Sequence, residues 1–282
     1  MLLPRTSIEV QPLSPSIGAR VYGVDLSHDL DESTFEHLRN ALLTHHVIFL
    51  SEQDISPEHQ IAFTRRFGEI ESPHPVFDVL DDHPEVTIIE QDGTPGSLYN
   101  DDWHTDVTFR EKPAMASILH CQVTPPVGGD TGWLSLAAAY DALSDSVKRF
   151  IEGLSARHDV YKAFGSLMLD AKGGMARLQE KQREFPPVDH PVVRTHPETG
   201  RKCLFVNRAH TMRINGLQDV ESRHLLEMLW EHAAHPDFQI RHQWRRHDLA
   251  MWDNRCTMHC ATSNFTGHRL MHRITVLGDR PH

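Results

Sequence analysis

The sequence has no Lys/Arg-rich run, and its 39 acidic residues outnumber the 28 basic ones, for a formal net charge of −11. A surface of that sign repels nucleic acid and anionic membranes, so neither is an expected partner. An anionic small molecule would have to be captured by local arginines against the global field. No apolar run reaches the roughly 20 residues that a bilayer span requires. The stretch Met1–Val10 has a proline and an arginine but no apolar core of the kind a secretory signal carries. The only cysteines are Cys121, Cys203, Cys256 and Cys260, too few and too scattered for a disulfide scaffold. These absences give the expectation of a reduced, cytoplasmic protein. Internal repeats, low-complexity tracts and obvious linkers are missing too, so residues 1–282 are expected to form a single domain, long enough for a sizeable core.

Histidine, in contrast, is abundant, with 22 residues. That fits metal binding or pH sensing, and it also makes any His-containing motif cheap by chance. The apolar pattern predicts a helix over 31–44, with Phe35, Leu38, Leu42 and Leu43 on one stripe. Ser56 followed by Pro57 predicts a second helix start. Helices are also expected within 135–154 and over 220–235, and the polar stretch 161–187 is expected to be partly helical, an insertion or a lid. Strands are predicted at 8–10, 19–24, 47–50, 86–90, 105–109, 114–122, 191–195, 203–207, 238–244, 249–253 and 269–277. Strands dominate the centre and the end, which predicts a mainly β sandwich or jelly roll with helical decoration.

Residues two apart on a strand share a face, so His104 and Asp106 can chelate one metal. A second histidine from elsewhere would complete a 2-His-1-carboxylate set, which suits non-haem Fe(II) oxygenases. The spacing alone does not decide this. Chance predicts roughly 3 His-x-Asp/Glu pairs in such a composition. Four occur: His83/Glu85, His104/Asp106, His196/Glu198 and His235/Asp237. Three of them enclose a proline, which fits turns; only His104/Asp106 runs into a strand pattern. Cys256 and Cys260 flank His259, yet no second Cys/His pair stands at finger-like spacing, and buried free thiols are the simpler reading. On pattern alone a non-redox zinc or manganese enzyme, or a metal-buffering protein, remains open.

Longer stretches narrow the choice. Asn100-Asp101-Asp102-Trp103-His104-Thr105-Asp106-Val107-Thr108-Phe109 resembles the metal-binding strand of the taurine/alpha-ketoglutarate dioxygenase family. Residues 252–259 resemble that family's second metal-binding segment, and residues 271–279 its final strand. Residues 17–20, 128–131, 190–197 and 204–207 match as well, so the resemblance runs in order along nearly the whole chain and is closest to the taurine dioxygenase branch. It implies a double-stranded β-helix of the cupin-like kind, with His104, Asp106 and His259 as Fe(II) ligands. It implies 2-oxoglutarate and O2 as cosubstrates, Thr131 and Arg269 holding the distal carboxylate of 2-oxoglutarate. Arg273 would bind a substrate sulfonate. His74, Asn100, Val107 and Phe164 would line the substrate site, Val107 through its backbone N–H. The implied reaction converts a small sulfonate, taurine or a related alkanesulfonate, to an aldehyde and sulfite, with succinate and CO2. A homo-oligomer, dimer or tetramer, is expected from the same resemblance.

Three positions depart from the taurine enzymes: Phe77 stands for a tyrosine, Tyr99 for an acidic residue, and His210 for a phenylalanine of the pocket. These changes remove partners for an ammonium group, so sulfonate recognition is expected rather than taurine itself. An alkyl sulfate or an aryloxyalkanoate is the nearest alternative. Arg269, Met271 and Arg273 alternate on one strand face, with Leu270, Ile274 and Val276 on the other. Pattern alone favours arginines in solvent, and the resemblance reverses that.

Overall fold

In the computed structural model, residues 8–71, 77–93, 102–170, 174–263 and 265–282 are described. The strands, in chain order, are β1 (Glu9–Pro12), β2 (Ala19–Tyr22), β3 (Val47–Leu50), β4 (Thr87–Gln91), β5 (Ala116–Val123), β6 (Thr131–Ser135), β7 (Ser155–His158), β8 (Val188–Pro191), β9 (Val193–Thr195), β10 (Lys202–Leu204), β11 (Thr211–Ile214), β12 (Gln239–His242), β13 (Leu249–Asp253), β14 (Thr257–Ala261) and β15 (Arg269–Val276). The helices are α1 (Glu32–His45), α2 (Pro57–Arg65), α3 (Leu136–Ala142), α4 (Asp145–Ile151), α5 (Val160–Asp170), α6 (Gly174–Glu184) and α7 (Asp219–Ala233).

A seven-stranded sheet runs in the order β1-β2-β3-β13-β5-β15-β4, antiparallel except between β2 and β3. A three-stranded antiparallel sheet, β12-β6-β14, lies against it. The contact is aromatic: the fully buried Trp133 of β6 has its ring 5.3 Å from Phe49 of β3 and 5.7 Å from Trp252 of β13, both edge-on. Such pairs add about 0.5–1.5 kcal/mol each beyond the area they bury. The other face of the large sheet is covered by α1, which buries Phe35, Leu38, Ala41 and Leu42. Asp31 caps that helix by accepting from the Thr34 N–H at 2.8 Å, a contact of about 1 kcal/mol. His46, left-handed at φ 64°, ends it and turns the chain into β3. A separate core packs α3, α4 and α7 around β9, β10 and β11.

The expected elements recur with small shifts at their ends, and 135–154 divides into α3 and α4 because Ser144 caps a new helix. One expectation fails. Thr105–Phe109 is not a strand: His104 pairs as a single bridge, and 106–109 is a turn, with Val107 at φ 45° and the Arg110 N–H donating to the Val107 carbonyl at 2.9 Å. The three His-Pro-Asp/Glu sequences do fall in turns or, for 236–238, a short 3-10 helix. On β15 the arginines do not face solvent: Arg269, Met271 and Arg273 are buried, and so are Ile274 and Val276 of the opposite face.

Candidate active site

His104 and His259 form an antiparallel bridge in which each N–H donates to the other's carbonyl, at 3.0 and 2.8 Å. The bridge holds the two imidazoles side by side, 4.2 Å between centroids. Asp106, two residues on, joins them, and the ligand atoms of the three buried residues lie within 4.8 Å of one another. The His104 Nδ1 faces the Asp102 carbonyl at 2.8 Å. A carbonyl only accepts, so Nδ1 carries the proton and Nε2 keeps its lone pair. His259 turns Nε2 towards Asp106, 3.9 Å from Oδ1, while its Nδ1 is buried without a partner among the described residues.

Burial drives both histidines to the neutral form; the His259 pKa falls to about 3, with His104 adding to the shift. Burial would raise the Asp106 pKa, but Arg273, the two imidazoles and the Ser117 hydroxyl overcome it and hold the carboxyl below its usual range. Ser117 donates to Oδ2 at 2.6 Å and Arg273 to Oδ1 at 3.0 Å. Asn254 braces Ser117 at 2.8 Å and accepts from the Trp252 indole N–H at 3.0 Å. The result is two neutral imidazoles and one ionised carboxylate on a dry wall, a donor set that fits Fe(II).

Beside the triad, Arg269 is almost fully buried, and no carboxylate pairs with it among the described residues. Burial lowers its pKa to about 10. Its Nε donates to the Gly129 carbonyl at 3.0 Å, and its other nitrogens to Gln91 and Thr131 at 3.2 and 3.3 Å. Gly129 sits at φ 68°, and a Cβ there would be 3.3 Å from the Arg269 side chain, which favours glycine. The Thr131 hydroxyl oxygen already accepts from Arg269 and from the Trp244 indole at 3.0 Å, so its own O–H is left to donate elsewhere. A guanidinium buried with no carboxylate partner among the described residues, beside a hydroxyl that can donate, is a place where an anion could be held. Arg269, Thr131, His259 and Arg273 line one cavity.

On the far side of Asp106, Arg273 lies over the Phe77 ring at 5.5 Å, and Phe77 stands edge-on to Phe164, 6.3 Å between centroids. Val107 and Phe164 are buried in the same apolar cluster. His210 packs 5.1 Å from Phe109 and 6.0 Å from Phe164, close enough to the triad for His104 and Asp106 to act on its titration. Burial lowers its pKa to about 3, so the ring is neutral, and its Nδ1 has no partner among the described residues. The structure thus gathers His104, Asp106, His259, Thr131, Arg269, Arg273, Val107, Phe164, Phe77 and His210 at one place. His74, Asn100 and Tyr99 lie outside the described residues. Sequence reasoning missed Ser117, Asn254, Gln91 and Trp244, which brace the site; Asn254 lies within the 252–259 segment, and the other three carry no motif.

The model of the family described as taurine catabolism dioxygenase TauD, TfdA family, matches residues 9–275. The chain belongs to this family. It is 36% identical over 280 residues to an alpha-ketoglutarate-dependent sulfate ester dioxygenase of Pseudomonas putida, covering 97% of this chain and 91% of the relative. Among solved structures it resembles a taurine dioxygenase from Burkholderia xenovorans with a TM-score of 0.84 and 40% identity, covering 98% of this chain and 91% of that one. It also resembles AAD-2 in complex with Mn(II) and N-oxalylglycine, with a TM-score of 0.83 and 34% identity, covering 98% and 99%. The protein is an alpha-ketoglutarate-dependent dioxygenase by family, and its cofactors are Fe(II) and 2-oxoglutarate.

Proposed function

We propose that this enzyme oxidises a small alkanesulfonate lacking an amine, at the carbon that bears sulfur. The observation that carries this is Arg273: a buried guanidinium next to the triad, spending one N–H on Asp106, with no partner for its Nε among the described residues, under an apolar wall of Phe77 and Phe164. Such a group takes the anionic head while the wall takes an alkyl chain. His104, Asp106 and His259 hold Fe(II). Arg269 and Thr131 take the distal carboxylate of 2-oxoglutarate. Bound Fe(II), with 2-oxoglutarate and O2, supplies the oxidising power, and the chain supplies position and exclusion of water. Hydroxylation of R–CH2–SO3⁻ gives R–CH(OH)–SO3⁻, which collapses to the aldehyde and bisulfite, while 2-oxoglutarate becomes succinate and CO2.

Phe77 and His210 offer no charge to an ammonium group, which supports an uncharged chain over taurine. Val107, His74 and Asn100 are assigned to the substrate side by resemblance. We read 1–282 as one catalytic domain on a double-stranded β-helix, with 161–187, which carries Phe164, as its lid, and the enzyme as a homo-oligomer. The likeness to a sulfate ester dioxygenase favours a second reading, an alkyl sulfate cleaved to aldehyde and sulfate by the same hydroxylation; an aryloxyalkanoate is the further alternative.

Anaerobic loading with Fe(II) and 2-oxoglutarate, then O2 with a panel of alkanesulfonates, taurine, alkyl sulfates and aryloxyalkanoates, tests this. Succinate matched by sulfite is expected, with an uncharged alkanesulfonate ahead of taurine in kcat/KM. Succinate matched by sulfate or by a phenol would move the assignment to the alternatives, and no succinate at all would remove the site.

A further inference from the structure

Val107 is β-branched and buried, and its φ of 45° is a conformation such residues rarely adopt. It sits between two clamps. On one side Asp106 is held by Ser117 and Arg273. On the other side stands a closed hydrogen-bonded ring of four residues. Asn207 Nδ2 donates to the Thr108 hydroxyl at 2.9 Å, and that oxygen is 3.0 Å from His158 Nδ1. His158 Nε2 is 3.3 Å from the Thr211 hydroxyl, which accepts from the Asn207 backbone N–H at 2.9 Å. All four residues are at most 1% exposed. His190 Nε2, 3.0 Å from both the Thr108 and Arg110 carbonyls, clamps the backbone of the same turn. The Asn207 side chain makes a second bond: its Oδ1 accepts the His210 backbone N–H at 2.8 Å.

We propose that Asn207 is a positioning residue that fixes the Val107 turn and the His210 wall as one unit, independently of the metal ligands. One side chain holds Thr108, next to the strained residue, and His210, the buried imidazole packed on Phe109 and Phe164. Loss of the ring frees Val107 to relax to negative φ and uncouples the two walls of the substrate site. Asp106 keeps both of its own donors, which come from β5 and β15 and not from the ring. The prediction is a split: substrate positioning is lost, and metal and 2-oxoglutarate binding stay. This rests on the reading of Asp106 as an iron ligand.

The test uses Thr108→Val, which keeps the shape and removes the hydroxyl, Thr108→Ser, which keeps the hydroxyl, and Asn207→Ala. The first and last should raise the substrate KM about 10-fold, the loss expected for one or two buried hydrogen bonds, and should release succinate in excess of oxidised product. Mn(II) affinity by calorimetry and the KM for 2-oxoglutarate should stay within about twofold, and Thr108→Ser should restore coupling. Hydrogen exchange of the His210 amide should quicken in Thr108→Val, although Thr108 does not touch it. If Thr108→Val does not fold, a second cycle decides: Asn207→Ala should cost less in a Val107→Gly background, where positive φ needs no clamp. Wild-type coupling in both variants, a parallel loss of Mn(II) affinity, or equal cost in both backgrounds would overturn the proposal. A wild-type enzyme with no Fe(II)- and 2-oxoglutarate-dependent turnover would instead remove the reading beneath it.

Discussion

Among the described residues, two buried triads have the composition of a metal site. His104, Asp106 and His259 form one; His196, Asp253 and Cys256 form the other, with ligand atoms equally close. The difference between them is in free lone pairs. Asp253 accepts from the Arg255 backbone N–H and Nε on Oδ1, at 2.9 Å each, and from Arg255 NH2 and His196 Nε2 on Oδ2, at 2.7 and 3.0 Å. That fills the four positions a carboxylate offers. The His196 Nδ1 takes the N–H groups of Glu198 and Thr199, and burial keeps the Cys256 thiol protonated. Among the described residues Asp106 accepts from two side-chain donors, the His104 Nε2 has no hydrogen-bond partner, and His259 turns its Nε2 to the same carboxylate. Proximity of ligand types does not make a metal site; unspent acceptors do.

The comparison breaks most sharply under mutation. His104→Ala or Asp106→Ala should lower turnover by about a thousandfold or more, because the metal supplies the chemistry, with the melting temperature nearly unchanged. Arg255→Ala should do the reverse: stranding the Asp253 carboxylate should destabilise the fold by about 3–5 kcal/mol in urea titration, with turnover per folded molecule retained. Metal counting sharpens the contrast, since Mn(II) titration should give one site per chain in both wild type and His196→Ala; a second site lost in His196→Ala would make the other triad a ligand set. A smaller effect separates the two arginines. Arg269→Ala should raise the KM for 2-oxoglutarate about 10- to 100-fold and Arg273→Ala that for the sulfonate by a similar factor, the worth of a charged hydrogen bond. An unchanged sulfonate KM would end the role of Arg273.

The smallest effect concerns pH. Burial lowers the pKa of His46 and His120 from 6.5 to about 4. Between those values the unfolded chain binds protons that the folded chain refuses, so stability rises with pH. It is complete above about 6.5 and declines as pH falls towards 4, by up to about 1.4 kcal/mol per unit for each histidine. Melting curves from pH 7 to 4 should show this slope, reduced in His120→Gln, whose side chain can still donate to the Gln53 carbonyl that His120 contacts at 2.8 Å.

Much of this was legible in one dimension. Helices α1, α2 and α7 and strands β3, β13 and β15 are local: their apolar period, caps and breakers are set by neighbours within a few residues, so they were found to within a residue or two. Strands β6, β7, β11 and β14 were not found, because each is short and owes its pairing to a distant partner. The 106–109 turn was misread because Val and Thr favour strands, and only contacts from His158, His190 and Asn207 hold it otherwise. His104, Asp106 and His259, which a chelating pair and long motifs pick out in the sequence, lie together in the fold. What tertiary structure alone decided is which buried groups keep an empty lone pair. Asp253 and Asp106 look alike as letters, and only the placement of Arg255, Ser117 and Arg273 around them makes one a strut and leaves the other free to hold a metal.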